Sequence, residues 1–223
     1  MPAIEFIHPV DRDRLCAGGC EPTPLSERRL DQITMQLHAA HSVAEVFAEL
    51  VEHLAPDLPF DRLGLALLTA DGTRVVSRRV YSSHPTVLWG PGTSAPLLGS
   101  SLEPLLREGA IRIIHDLCAY QQLRPSSVPT HRLIEEGMRS SLTIPLYDGK
   151  TPLGFLFATS GTPHAYTPQH VAVAAVLAPT LGHALAEALE RELDIGPRGQ
   201  ANPTPALPKG CLAMMSDQGP RPG

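Results

Sequence analysis

Residues 137–160, GMRSSLTIPLYDGKTPLGFLFATS, decide the fold. Two apolar-rich runs flank Asp148-Gly149, a pair suited to a tight hairpin because a type I′ turn needs positive φ at both central positions. That turn sets Tyr147 against Lys150, and the partners then run Leu146/Thr151, Ile144/Leu153, Leu142/Phe155 and Ser140/Phe157. This face is bulky. The other holds Ser141, Thr143 and Pro145 opposite Leu156, Gly154 and Pro152, with Ala158 further along, and is small and partly polar.

A second hairpin, RLGLALLTADGTRVVSRRVY, turns at Asp71-Gly72 and splits the same way, with Leu63, Leu65 and Leu67 on one side and Gly64, Ala66 and Leu68 on the other. Ala172, Ala174, Ala175, Ala178 and Ala184 of the last helix are the small partners that large strand residues need for dense packing. The bulky face, Leu63, Leu65, Leu142, Ile144 and Phe155, is therefore expected against helices. The thin face, with Gly64, Ala66, Leu156 and Ala158, is poorly suited to solvent and is read as the floor of a shallow cavity roofed by residues 82–137.

Around these hairpins, helical periodicity predicts helices over 26–40 and 43–55, the second capped by Ser42. A short helix follows at Ser101 to Arg107, then a strand at Ile111–Ile114. Asp116 is placed to cap Leu117 to Gln121, and Gly137 closes another short helix. Thr167-Pro168 opens a long helix from Gln169 to about Leu193, with Pro179 expected to kink it. Residues 1–25, rich in Pro and Gly, read as an N-terminal arm whose Ile4, Phe6 and Ile7 could dock on a core. Residues 26–193 read as one domain, and 194–223 as a disordered C-terminal tail.

Composition narrows the function. The chain has 223 residues, 43% of them hydrophobic, and a formal charge of −5 from 18 Lys+Arg and 23 Asp+Glu. Scattered basic residues give no stripe for phosphate neutralisation, which argues against direct nucleic-acid binding. Neither a secretion signal nor an 18-residue uninterrupted apolar run is visible, so the reading is cytoplasmic with no membrane partner. The four cysteines, Cys16, Cys20, Cys118 and Cys211, are too dispersed to announce a disulfide framework.

The order helix, helix, hairpin, variable segment, short strand, short helix, hairpin, long helix resembles a GAF domain. The resemblance is carried by HLAPDLPFDRLGLALLTADGT, AIRIIHDL and EEGMRSSLTIPLYDGKTPLGFLFATSGTPHAYTPQHVAVAAVLAPTLGHAL, covering roughly residues 26–193. It implies an α+β fold: a six-stranded antiparallel sheet with helices on one face and a ligand pocket on the other. The pocket candidates on the sheet are Ala66, Ser141, Thr143, Leu156 and Ala158. On the covering segment and its borders they are Tyr81, Leu98, His115, Tyr120 and His131. It further implies a homodimer through the terminal helices and an output domain or partner protein such as a kinase, cyclase or transcription activator.

Candidate chemistry is sparse. Adjacent residues on a strand point to opposite faces, which disfavours His115-Asp116 as a catalytic dyad. Bilin-carrying relatives have a Cys-His pair where this chain has Thr130-His131, which argues against covalent bilin. Haem would need a histidine such as His84, His115 or His131. Cys16 and Cys20 are half a metal site at best. The leading reading is a non-catalytic small-molecule sensor of a signalling or transcription regulator, its ligand unidentified. The alternative is a redox enzyme or thiol switch like the free methionine sulfoxide reductases, using Cys118 with Cys16 or Cys20.

Overall fold

A computed structural model describes residues 4–7 and 27–194. In chain order the elements are β1 (Ile4–Ile7), α1 (Glu27–Ala39), α2 (Val43–His53), β2 (Arg62–Leu68), β3 (Arg74–Ser82) and β4 (Ser94–Pro96). They continue with α3 (Glu103–Glu108), β5 (Ile111–Ile114), α4 (Leu117–Leu123), α5 (Val128–Glu135), β6 (Ser140–Asp148), β7 (Thr151–Ser160) and α6 (Pro168–Asp194). All strand pairings are antiparallel, in the order β1-β5-β6-β7-β2-β3-β4. Among the described residues the sheet has seven strands instead of the expected six. Ile4–Ile7, read from the sequence as part of an arm, is its edge strand on β5. Cys16, Cys20, Cys211 and the tail after Asp194 lie outside the described residues.

Local signals act where the sequence placed them. Ser42 caps α2 by accepting from Glu45 N at 3.2 Å. Gly137, at φ +90°, reverses the chain between α5 and β6. At the start of α6 the Thr167 amide donates to the His170 ring at 3.1 Å. Burial holds the His170 pKa below the usual imidazole value, which keeps the ring able to accept. The helix runs on through Pro179.

The β6–β7 register departs from expectation. Asp148 pairs with Thr151, so Gly149 at φ +56° and Lys150 form the turn. Tyr147 then pairs with Pro152 but Leu146 with Gly154, leaving Leu153 as a bulge. One extra residue moves every later side chain of β7 to the opposite face. Leu142 and Ile144 consequently pair with Ala158 and Leu156, while Thr143 and Pro145 pair with Phe157 and Phe155. The two faces read from the sequence are therefore half exchanged. Leu156 and Ala158 belong to the helix side, and Phe155 belongs to the other.

On the helix side, Leu63, Leu65, Leu67, Leu142, Ile144, Leu146 and Leu156 share one core with Leu37 of α1, Val46 and Leu50 of α2, and Val171, Leu181 and Leu185 of α6. By length and composition α6 could cross a membrane, yet those residues are buried on the sheet. The helix lies so close to β6 that a side-chain carbon at Gly182 would strike the Tyr147 carbonyl oxygen. A void of about 10 Å³ between α2, α6 and the sheet is a packing gap, too small for a ligand. The opposite face is also covered. Ala66 and Phe155 pack with Leu97, Leu105 and Ala110, and Ile114 packs with Leu117, Tyr120 and Met138. The result is three layers: helices, sheet, and a roof made from the parts of residues 83–139 that lie outside β4 and β5.

Gly182→Ala is therefore expected to lose about 1–3 kcal/mol or more of stability in urea denaturation. An unchanged midpoint would mean that α6 does not rest on β6. Ala158→Trp, now placed in the helix-side core, is expected to unfold the protein by overpacking.

Candidate functional site

The roofed face takes its chemistry from strand alternation. In β5, Ile111 and Ile113 turn to the helix-side core, which sends Arg112 and Ile114 under the roof. Arg112 is 5% exposed. Its Nη1 donates to the Ser101 hydroxyl at 2.9 Å and carbonyl at 3.4 Å, and Nη2 donates to Thr143 Oγ1 at 3.3 Å. The guanidinium lies 5.8 Å from the centre of the Tyr120 ring. Nε has no hydrogen-bond partner, and among the described residues no carboxylate pairs with Arg112. Burial holds its pKa below the ordinary guanidinium value, with Tyr120 opposing.

A second buried arginine is matched. Arg62 at the start of β2 meets Glu136, just past α5, at 2.9 Å, and their side chains are 4% and 0% exposed. The other Glu136 oxygen accepts from the Leu88 and Trp89 amides at 2.7 and 2.8 Å, and Arg62 Nη2 donates to the Trp89 carbonyl. One ion pair thus fastens the loop before β4 to both a strand and a helix end. Burial lowers the Arg62 pKa, and Glu136 counteracts it. A further tie closes the roof elsewhere: the Tyr147 hydroxyl donates to the Leu106 carbonyl at 2.6 Å.

The sequence-predicted site residues divide. Ala66, Ser141, Thr143 and Tyr120 are buried and lie on the roofed side, Thr143 and Tyr120 both touching Arg112. Leu156 and Ala158 are in the helix-side core, and Tyr81 packs against that core edge-on to Phe60. Leu98 is 65% exposed. His115 is buried, but its Nε2 lies 3.3 Å from Glu5 and its ring stacks on His164, apart from the Arg112 contacts. His131 is exposed beside Glu135 and lines a surface groove of about 380 Å³ with Pro125, Ser127 and Arg132. Asp116 is the cap it was read to be, accepting from the Cys118 and Ala119 amides.

Cys118 is a free, exposed thiol, and Thr130 is a buried hydroxyl bonded to Ser127. Among the described residues no cluster of three His, Cys, Asp or Glu is arranged for a metal. Sequence reasoning missed Arg62, Glu136 and Arg112. The signal was present in Ile-Arg-Ile-Ile, where a basic residue interrupts an apolar strand and has to be buried on one side of it.

A family model described as a GAF domain matches residues 40–186. No curated protein matches the chain. Among solved structures, the GAF domain of an Acinetobacter phosphoenolpyruvate-protein phosphotransferase is 16% identical with a TM-score of 0.58, covering 73% of this chain and 93% of that one. The phycoerythrobilin-bound GAF domain of a cyanobacterial phytochrome is 14% identical with a TM-score of 0.58, covering 74% and 97%. The free methionine-R-sulfoxide reductase of Neisseria meningitidis, in complex with its substrate, is 15% identical with a TM-score of 0.53, covering 72% and 88%.

Glu136→Gln removes the countercharge and leaves Arg62 buried, so a loss of about 3–5 kcal/mol is expected. Hydrogen exchange should rise first at the Leu88 and Trp89 amides. A variant as stable as wild type, with those amides equally protected, would show that the pair does not fasten the roof.

Proposed function

The chain belongs to the GAF domain family, and on that premise we propose that it is a non-catalytic sensory module binding a small molecule between the Arg112 face of the sheet and the roof of residues 83–139. The observation that carries this reading is the character of the covered face. A face kept from water for packing alone would be apolar, whereas this one centres on a buried guanidinium, the Thr143 hydroxyl and the Tyr120 ring. Its margins are fastened by the Arg62–Glu136 pair and by Tyr147, so the roof can loosen over its centre while staying attached. A bilin-bound and a substrate-bound structure are among the similar folds, which supports ligand binding on this scaffold.

Occupancy is passed on through the helix layer. The end of α6 is bolted to the α1–α2 junction: Arg191 donates to the Ala40 carbonyl at 2.8 Å, and the Val43 amide donates to Glu192 at 3.0 Å. Met35 and Leu193, 67% and 80% exposed, offer apolar contacts on the same helices for a second copy or an output partner. The homodimer and a signalling or transcription-regulating partner are part of this reading.

Hydrogen exchange with and without a small-molecule fraction of cell extract tests it. Added protection is expected in residues 83–139 and in β5 and β6, and Cys118→Ser should respond as wild type does. Protection that never changes under the roof, or that requires the Cys118 thiol, would contradict the proposal.

A further inference from the structure

Arg112 makes the chemistry of the ligand specific. An arginine carries five N–H donors in a planar fork, and the edge formed by Nε and one terminal nitrogen matches the two oxygens of a carboxylate. In this site Nη1 is committed to Ser101, at 2.9 Å to its hydroxyl. Nη2 makes a 3.3 Å contact with Thr143, the guanidinium also hydrogen-bonds the Tyr120 side chain, and Nε has no hydrogen-bond partner among the described residues. The contacts that exist use hydroxyl or carbonyl oxygens and an aromatic face, none of which carries negative charge. Whereas Arg62 is answered by Glu136, the second buried cation under the roof meets no carboxylate among the described residues.

We infer that Arg112 is the anchor for a small organic acid, whose carboxylate pairs side-on with Nε and Nη2 beneath the roof. The inference deepens the sensory reading above and rests on it. The Thr143 and Ser101 hydroxyls accept from Arg112 in the present arrangement, and a hydroxyl can rotate to donate to an incoming anion. Every polar side chain touching Arg112 can thus complement negative charge. The Tyr120 ring supplies an apolar face for the acid's carbon skeleton, and Phe157, the strand partner of Thr143 on β7, is apolar as well. A carboxylate is favoured over phosphate by the planar Nε/Nη2 edge, whose Nε has no hydrogen-bond partner among the described residues, and by the single cation: one guanidinium matches one negative charge.

The experiment is a thermal-shift and calorimetric titration of the full chain with a panel of short aliphatic and aromatic monocarboxylates, their primary amides, and inorganic phosphate. Arg112→Met and Arg112→Lys are run in parallel. Arg112→Met keeps the length of the side chain and removes the charge, and circular dichroism checks that it folds. At least one carboxylate is expected to raise the melting temperature of the wild type while its amide does not. Affinity should fall about tenfold or more in Arg112→Lys, which keeps the charge and loses the fork, and vanish in Arg112→Met. Amides binding as well as acids, phosphate binding best, or acids binding undiminished to both variants would overturn the carboxylate anchor while leaving a ligand site in place. Silence of the wild type toward every acid would overturn the anchor too, and the hydrogen-exchange measurement above then decides separately whether any small molecule enters.

Discussion

The structure depends on one bulged residue. Leu153 is left unpaired where β7 leaves its turn, and the register beyond it assigns Leu156 and Ala158 to the helices and Phe155 and Phe157 to the roof. The bulge is held by a close approach of backbones. A side-chain carbon at Gly154 would strike the Ala66 carbonyl of β2, so glycine at that position is what lets β7 lie between β6 and β2. With that register the sheet becomes a two-sided wall. Apolar stripes meet α1, α2 and α6 on one side, and a mixed face meets a separate covering segment on the other.

Electrostatics then distinguishes the two sides. The helix-side core is built from aliphatic and aromatic residues, and its energetics is burial alone. Beneath the roof two guanidinium groups are taken out of water, an arrangement that costs stability unless each is paired. Arg62 is paired, and its partner also gathers two loop amides, so the cost is offset where it helps to hold the roof. Among the described residues, Arg112 meets the neutral groups of Ser101, Thr143 and Tyr120. Such an imbalance sits where the fold is closed by a loop and short helices, and a charged ligand is the economical way to relieve it.

Much of the fold was legible because its signals are local. Asp71-Gly72, the Ser42 and Asp116 caps, Gly137, and the alternation in Leu63-Gly64-Leu65 each act within a few residues, and the elements they mark are where they were read. The β6–β7 register was not legible. Asp-Gly is a strong turn signal, yet the turn moved to Gly149-Lys150, and the bulge is specified by a contact with β2 far away in sequence. That single error carried Leu156 and Ala158 to the wrong face. Tyr81, opposite Leu63 on β3, also packs on the helix side. Ser141, Thr143, Ala66 and Tyr120 lie on the roofed side, where small size or the covering segment buries them. The charge at the centre went unread: the arginine interrupting Ile-Arg-Ile-Ile signals burial, but what surrounds it is set by Ser101, Thr143 and Tyr120, which the strand itself does not reveal.

The central claim is that Arg112 is a buried cation whose open edge receives a ligand. NMR of the arginine Nε–H groups addresses that edge directly. The account predicts an Arg112 Nε–H signal that is slow to exchange with solvent and is the one displaced when a small organic acid is added, with Arg62 little changed. A rapidly exchanging Arg112 signal, or one that stays fixed while an acid binds elsewhere on the protein, would contradict it.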